Sequence, residues 1–507
     1  MRLLPTASVL PTLFMSPAWA ADWLLTPTLS FAEYYTDNVT LAPAGSTTSA
    51  WVTQVRPGLT LSYNGNNLKF AATYTGEFLY HSQTEDFTVH QQLSGSSLGS
   101  MEIVPQFMYV DTNTSVSQTN ASALAPLATN NINTTNNRAT VRTTTVSPFI
   151  RHNFGVEAQG EARLTYSQVS TSSDGGAAAN LSNSSSNNFS ANLKSGPAYK
   201  LTTWNLAYSR ETVGYSNQDQ TFESLRGNLR RLITYNIGLS ASVGYDNNQY
   251  VVTTGPKPSG LAWSVGVDWT PTPRTSLAVT TGHRYFGVNR SLTFSHRTRL
   301  TVWNASYTED ITTTRAQFLV PTQADTAGYL DALYLLRIPD PVARQQAVQQ
   351  TITQQGLPAT LLVPVNFFTD QVYLQKAWRG GVGFQGMRHS VFTNFFMVTS
   401  VTQTPGLPTG AGDFAASSEV KQTGGSVLWN WTVSHYDSTN FSIGYTRSEF
   451  PSLGREDKTK YTRFALNHQF SPKMSGLVSY QRQQNDSSSS TAGYTENQVS
   501  AQVQMRF

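Results

Sequence analysis

Apolar and polar residues alternate along this chain from one end to the other. Tyr235, Ile237, Leu239, Ala241, Val243 and Tyr245 are interleaved with Asn236, Gly238, Ser240, Ser242, Gly244 and Asp246. Leu261, Trp263, Val265, Val267 and Trp269 are interleaved with Ala262, Ser264, Gly266 and Asp268. Val156 to Tyr166, Val427-Trp429-Trp431-Val433 and Phe441-Ile443-Tyr445 repeat the pattern. A period of two gives a strand with one apolar and one polar face. A soluble sandwich would cover the polar face with Lys and Glu. Here that face is built from Ser, Thr, Asn and Gly, and only 13% of the chain is charged, about half the usual quarter.

The apolar faces often begin or end in Trp or Tyr. That is the pattern of an outer-membrane barrel, with an apolar band toward lipid, aromatic girdles at its borders and a polar lumen. Closure satisfies every backbone group inside the membrane, where an open edge would not be tolerated. Short turns (Asn64-Gly65-Asn66-Asn67, Pro271-Thr272-Pro273, Ser471-Pro472-Lys473) alternate with long polar loops at 36–50, 113–137, 172–186, 403–419 and 486–493. The sequence therefore predicts an all-β fold, a transmembrane antiparallel up-and-down β-barrel of about 22 strands within a range of 16–22. Stretches 138–152 and 371–398 are weakly patterned and are where that count could slip. The last strand runs Val499, Ala501, Val503, Met505, Phe507 at every second position and resembles the signal read by the barrel assembly machinery.

Residues 1–20 read as a secretory signal: Arg2, an apolar stretch from Leu3 to Met15, then Ala18-Trp19-Ala20 as a small-x-small cleavage pattern. No apolar run of 18 residues follows it, so no transmembrane helix is expected. The expected organisation is a leader at 1–20, with cleavage after Ala20, and one barrel domain at 21–507. The product is expected in the cell outer membrane, with strands starting near Trp23 and no room for an N-terminal plug.

One segment, 313–370, breaks the period and reads as a helical loop insert. Thr326 to Leu336 places Tyr329, Leu330, Leu333 and Tyr334 on one side. A second helix has Asp340 as N-cap, Pro341 at its first position and Gly356 just past its end. Strand parity puts the insert on the external side. Three readings are open: a loop packed on the rim, a lid or constriction over the pore, or a partner-docking element.

Reaction chemistry is sparse. Gly95-Ser96-Ser97-Leu98-Gly99 matches a nucleophile elbow, but that motif needs a strand-to-helix turn and no helical pattern follows. The eight histidines lack metal-ligand spacing, and the absence of cysteine excludes disulfides and thiolate sites. No catalytic residue, cofactor or metal site is assigned, and a net charge of +4 over 507 residues gives no nucleic-acid footprint. The inward face carries the functional signal. Its basic candidates, the candidate pore lining, are Arg56, Lys69, Arg163, Lys194, Arg226, Arg230, Arg284, Arg463 and Arg506. Glu77, Glu157, Glu161, Asp246 and Asp268 are the acidic ones. A basic excess favours anionic solutes; pairing across strands, which would only order a wet interior, is the alternative.

Several stretches resemble the outer-membrane barrels associated with exosortase (PEP-CTERM) systems. They are Tyr35-Thr36-Asp37-Asn38-Val39-Thr40-Leu41, Val55-Arg56-Pro57-Gly58-Leu59, Gly282-His283-Arg284-Tyr285-Phe286-Gly287, Ser295 to Arg299, Trp303 to Tyr307 and Val372 to Lys376. The resemblance implies an outer-membrane protein linked to exopolysaccharide export or surface assembly, and the chain is expected to act there as a porin-like channel. Its expected partners are outer-membrane lipid, an anionic polysaccharide and exopolysaccharide-secretion proteins. It supplies no catalytic residues. A non-conducting structural barrel that anchors a surface or periplasmic assembly is the alternative.

Overall fold

The computed structural model describes residues 23–82, 90–173, 183–215, 219–251, 257–319, 326–335, 338–355, 357, 365, 368–403, 413–489 and 492–507. The leader lies outside them. The alternating segments form 22 antiparallel strands in one sheet. The first seven are β1 Leu24–Thr36, β2 Ala50–Asn64, β3 Leu68–His81, β4 His90–Val104, β5 Met108–Asn120, β6 Arg138–Phe154 and β7 Ala158–Ser172. Then come β8 Ser184–Ser195, β9 Thr202–Gly214, β10 Asp219–Thr234, β11 Ile237–Asn247, β12 Ser259–Thr272, β13 Thr275–Arg284, β14 Gly287–Arg297 and β15 Thr301–Thr313. The last seven are β16 Val372–Gln385, β17 His389–Thr402, β18 Glu419–Thr432, β19 Asp437–Phe450, β20 Arg455–Ser471, β21 Met474–Ser487 and β22 Tyr494–Arg506. Each strand pairs with the next, and β1 pairs with β22 from Thr28↔Arg506 to Thr36↔Gln498, so the barrel is closed.

The outer surface explains the composition. Leu239, Val243, Tyr245, Trp263, Val265, Val267, Trp269, Phe441 and Ile443 are all exposed. A continuous apolar belt of this kind is stable against hydrocarbon and costly against water. Trp263 and Trp269 border it on β12, and Trp429 and Trp431 stack with His389 near the turns.

One end of the barrel carries short turns such as 65–67, 273–274, 386–388 and 472–473. The other carries the long connections 37–49, 121–137, 314–371 and 403–418. The alternation is not uniform, because Tyr285 and Phe286 alone link β13 to β14 at the long-loop end, with Gly287 at φ +113° closing that turn. Three expected boundaries move. The loop expected at 113–137 begins only at Ala121, because β5 runs on to Asn120. Residues 113–120 have Val116 as their one apolar side chain, yet β4 and β6 hold them in register on both sides. Val156 and Tyr235 fall in turns rather than strands. The weakly patterned stretches are strands: 138–152 lies in β6, and 371–398 is β16 and most of β17.

The insert leaves the long-loop end and does not stay on the rim. Helix α1 (Thr314–Leu319) is pinned at that end by Arg315, which is 1% exposed. Its guanidinium donates to Ser184 Oγ (3.2 Å) and Ser186 Oγ (2.7 Å) on β8, and to the Ser167 carbonyl (3.0 Å) and hydroxyl on β7. Helices α2 (Thr326–Tyr334) and α3 (Pro341–Gln355) then form a hairpin inside the barrel. Leu330, Val348, Ile352 and Leu357 cluster with Phe392 and Leu428, which sit on the inner wall in the short-turn halves of β17 and β18. At the hairpin tip Asp340 meets Lys69 Nζ at 2.6 Å. Lys69 is the second residue of β3 and pairs with Asn64 beside the turn 65–67. A segment rooted at one mouth therefore reaches the other. The rim-loop reading is corrected: the insert is a constriction within the lumen, placed there because its apolar stripe finds Phe392 and Leu428 on the wall.

The helix signals hold where they can be followed. Asp340 Oδ1 accepts from the Ala343 amide at 2.9 Å, and Pro341 opens α3. Leu333 and Tyr334 pack on the Leu330 cluster. Leu336, Gly356 and the Tyr329 side chain lie outside the described residues.

Candidate functional site in the lumen

Alternation fixes which side chains face inward, and the insert fixes which of those meet water. On β16 to β22 the inward residues are buried almost throughout, including Ser400, Gln422, Asn440, Ser442, Gln483 and Glu496. Loop 121–137 adds to this by folding into the long-loop mouth. The Leu127 carbonyl accepts from Gln483 Nε2 (2.5 Å) and the Tyr494 hydroxyl (3.0 Å), and Asn133 Nδ2 donates to Glu496 Oε1 at 2.7 Å. Helix α4 (Asp413–Ala416) clamps the loop: Asp413 accepts from the Ser122 hydroxyl and, at 2.8 Å, from the Ala123 amide.

The wall from β8 to β15 is different. Many of its inward residues are polar, and several are exposed: Asn192, Lys194, Asn228, Thr293, Ser295 and Thr308. Apart from Ser184 and Ser186 at Arg315, and Gln220, which donates to the Asp370 carbonyl at 2.9 Å, they bond along the wall. Asn205 Nδ2 donates to Asn192 Oδ1 at 2.7 Å, Ser242 and Ser264 hydroxyls meet at 2.6 Å, and Thr280 and Ser291 at 2.7 Å. The plugged lumen thus keeps an eccentric hydrophilic groove along one side.

Three arginines and three aspartates of this groove are paired. Asp246, buried on β11, accepts from Arg226 Nη2 on β10 and Arg284 Nε on β13, both at 2.8 Å. Arg284 continues to Asp310 on β15 at 2.5 Å, and Arg230 meets Asp268 on β12 at 2.8 Å. With Lys194, Arg297 and Glu211, five basic and four acidic side chains face inward from β8 to β15. Aromatic rings gather above this ladder at the long-loop mouth. Inward-facing Phe222 lies 5.9 Å from Tyr250, whose hydroxyl donates to Tyr285 at 3.3 Å, and the Arg284 guanidinium sits 5.1 Å from the Phe286 ring. Burial pushes the Tyr250 and Tyr285 hydroxyls up from the usual phenol value.

The nine basic residues expected to line the pore are thus partly explained by pairing. Arg226, Arg230 and Arg284 come together in the groove. Arg163, at the short-turn end of β7, bonds Asp111 (2.9 Å) and Glu161 (3.2 Å) and covers the Phe149 ring at 3.8 Å. Lys69 holds the insert. Arg463 donates to Asn440 Oδ1 at 2.9 Å. Arg56, Lys194 and Arg506 lie on inward positions of β2, β8 and β22, with no ion pair among the described residues. Glu77 is buried against Asn131 (2.6 Å), and Glu157 falls in a turn. Asp111, Arg151, Glu211 and Asp310 were missed. Parity on β5, β6, β9 and β15 would have found them, but β5 and β6 lay in stretches read as loop or weakly patterned.

The Gly95–Gly99 match lies within β4, with no helix after it. Among the described residues no group of His, Asp and Glu has metal-holding geometry.

No protein-family model and no curated protein matches the chain. Solved barrels are similar in structure. The siderophore receptor PirA from Acinetobacter baumannii aligns over 95% of this chain and 80% of its own, with a TM-score of 0.47 and 9% identity. PirA from Pseudomonas aeruginosa aligns over the same shares, with a TM-score of 0.44 and 10% identity. A ferric enterobactin receptor (PfeA) mutant from Pseudomonas aeruginosa gives 0.45 and 9%, again over 95% and 80%. These are likenesses of barrel architecture, at identities where cargo and mechanism do not transfer.

Proposed function

We propose that the chain is an outer-membrane channel that passes a polar, polyhydroxylated solute along the β8–β15 groove, in connection with exopolysaccharide export or surface assembly. The observation that carries this is the two-sidedness of the lumen wall. One side is packed against the insert and loop 121–137, while the other presents exposed Asn192, Asn228, Thr293, Ser295 and Thr308 to an interior that lipid cannot reach. Selectivity in such pores follows the lining. Near-balanced charge in the groove suits an uncharged hydroxyl-rich solute, and an anionic polysaccharide would draw on Lys194, Arg297 and Arg506 at the short-turn end. The Phe222–Tyr250–Tyr285 rings at the mouth offer flat apolar faces of the kind that sugar rings pack against. The long loops face the exterior, and the closing β22 is the strand an assembly machinery would meet.

A non-conducting structural barrel is the second reading, favoured by the way loop 121–137 and α4 cover the long-loop mouth. Single-channel recording on the refolded protein separates the two. Current through the intact barrel, or through one lacking 326–355, supports the channel; silence from both leaves the structural barrel.

A further inference from the structure

We infer that the α2–α3 hairpin is an internal gate held shut by an ionic latch, Lys69–Asp340, at the short-turn mouth. The inference rests on the channel reading and assigns that channel its regulation.

The hairpin holds itself together. Tyr334 and Thr351 hydroxyls meet at 2.9 Å, and Arg344 Nε donates to Asp331 Oδ1 at 2.6 Å. Arg344 Nη1 also donates to the Ile338 carbonyl at 3.1 Å, which bridges the connection between the two helices. Pro339 and Pro341 flank Asp340 and stiffen the tip.

Its attachment to the wall is slight by comparison. Phe392 and Leu428 are the wall side chains in its apolar cluster among the described residues. Lys69 and Asp340 make the ion pair at its tip, with side chains 41% and 25% exposed. Among the described residues, the neighbouring β8–β15 wall contributes no side chain to that apolar cluster. The firm anchorage is at the other end, where buried Arg315 ties α1 to β7 and β8. A compact body with a fixed root and a lightly held tip moves as a unit about that root. Among the described residues, leaving the wall exposes the Phe392–Leu428 patch and breaks the solvent-accessible Lys69–Asp340 pair. Such a pair is weakened by salt, so the latch responds to ionic conditions at the short-turn mouth.

The latch is tested by bilayer recording, with folding of each variant checked by heat-modifiable gel mobility. Asp340→Asn keeps the helix cap, since Asn caps as well as Asp, and removes the charge. At low salt Asp340→Asn and Lys69→Met should each raise occupancy of the larger conductance level about 2- to 5-fold, the range an exposed ion pair supports. In 1 M salt the wild type should approach the variants. The chain has no cysteine, so Lys69→Cys with Asp340→Cys can be joined by a short reducible bis-thiol reagent. The joined protein should stay at the small level and recover switching on reduction. Unchanged occupancy in both single variants at low salt, or switching that persists in the joined protein, overturns the latch. Deleting 326–355 should fix the large level; a deletion that conducts like wild type overturns the gate and leaves the channel standing. Silence from the deletion and the intact barrel alike removes the channel reading, and the gate with it.

Discussion

Arg284 on β13 reaches past β12 to Asp246 on β11, its Nε donating to Oδ2 at 2.8 Å while Arg226 holds Oδ1 from the other side. Two cations thus converge on one buried carboxylate, and the ladder is neutral only when Asp310 is counted.

Asp246→Asn should therefore act in two ways. It leaves Arg226 and Arg284 short of a charged acceptor, which costs about 1.5–3 kcal/mol for a hydrogen bond to a charged group. It also makes the groove more positive, so the reversal potential in a salt gradient should move toward anions. Arg230→Gln should move it the other way, because Asp268 then stands alone. A shift of the same sign in both variants would place these residues outside the conducting path. Urea midpoints measured alongside give the stability component.

Sidedness along β12 gives a second prediction. Val265 is exposed between Trp263 and Trp269 on the outer belt, whereas Ser242 on β11 points inward and bonds Ser264. Val265→Arg should cost about 2–4 kcal/mol, the penalty for Arg near the bilayer midplane on the lipid face. Ser242→Arg should cost less than 1 kcal/mol beyond its lost hydrogen bond, because its charge stays in water. Equal costs in a lipid-bilayer unfolding assay would mean that the faces are reversed.

These outward residues show what the sequence made legible. Trp263 to Trp269 alternates without interruption because lipid and lumen both act on every residue, so parity alone assigns its faces. Asn113 to Asn120 carries the same backbone geometry beyond the apolar belt, where lipid no longer selects side chains, and it reads as loop. The ladder was half legible. Parity places Arg226 and Asp246 inward, but Arg226 pairs in register with Gly244, so the contact is diagonal. Only the assembled register reveals it. The Lys69–Asp340 contact joins residues 271 apart and has no local signature. The capping of α3 was legible, and its position in the lumen was not.

Asp413 yields a prediction in pH. It lies on α4, where burial raises its pKa from 3.8 against the opposing hydrogen bonds from Ser122 and Ala123. A carboxyl with a raised folded pKa contributes stability that is complete below the unfolded value and is lost as pH rises through the folded one. The clamp on loop 121–137 should be strongest below about pH 3.8 and loosen above it. Asp413→Asn, an uncharged mimic of the acid, should hold the loop without that dependence. Protease cleavage within 121–137, followed across pH in both proteins, measures it. A clamp that tightens as pH rises would contradict the assignment.

The asymmetry of the lumen is open to direct chemical test because the chain has no cysteine of its own. Single cysteines at Asn228, Ser295 and Thr308 face the groove, and all three positions are exposed. Cysteines at Asn440, Ser442 and Ser400 face the same lumen from the opposite wall, where all three residues are fully buried. Both sets are inward by parity, so a barrel with an evenly filled or evenly open interior would label them alike. A charged, membrane-impermeant maleimide should modify the first set rapidly and the second slowly. Deleting 326–355 should speed the second set, most of all at Asn440 and Ser442, which lie in the short-turn part of β19 nearest the hairpin's level. Loop 121–137 would still cover the mouth above Ser400, so that position should respond least. Uniform labelling of both sets in the intact protein would remove the groove and with it the path the proposed channel requires.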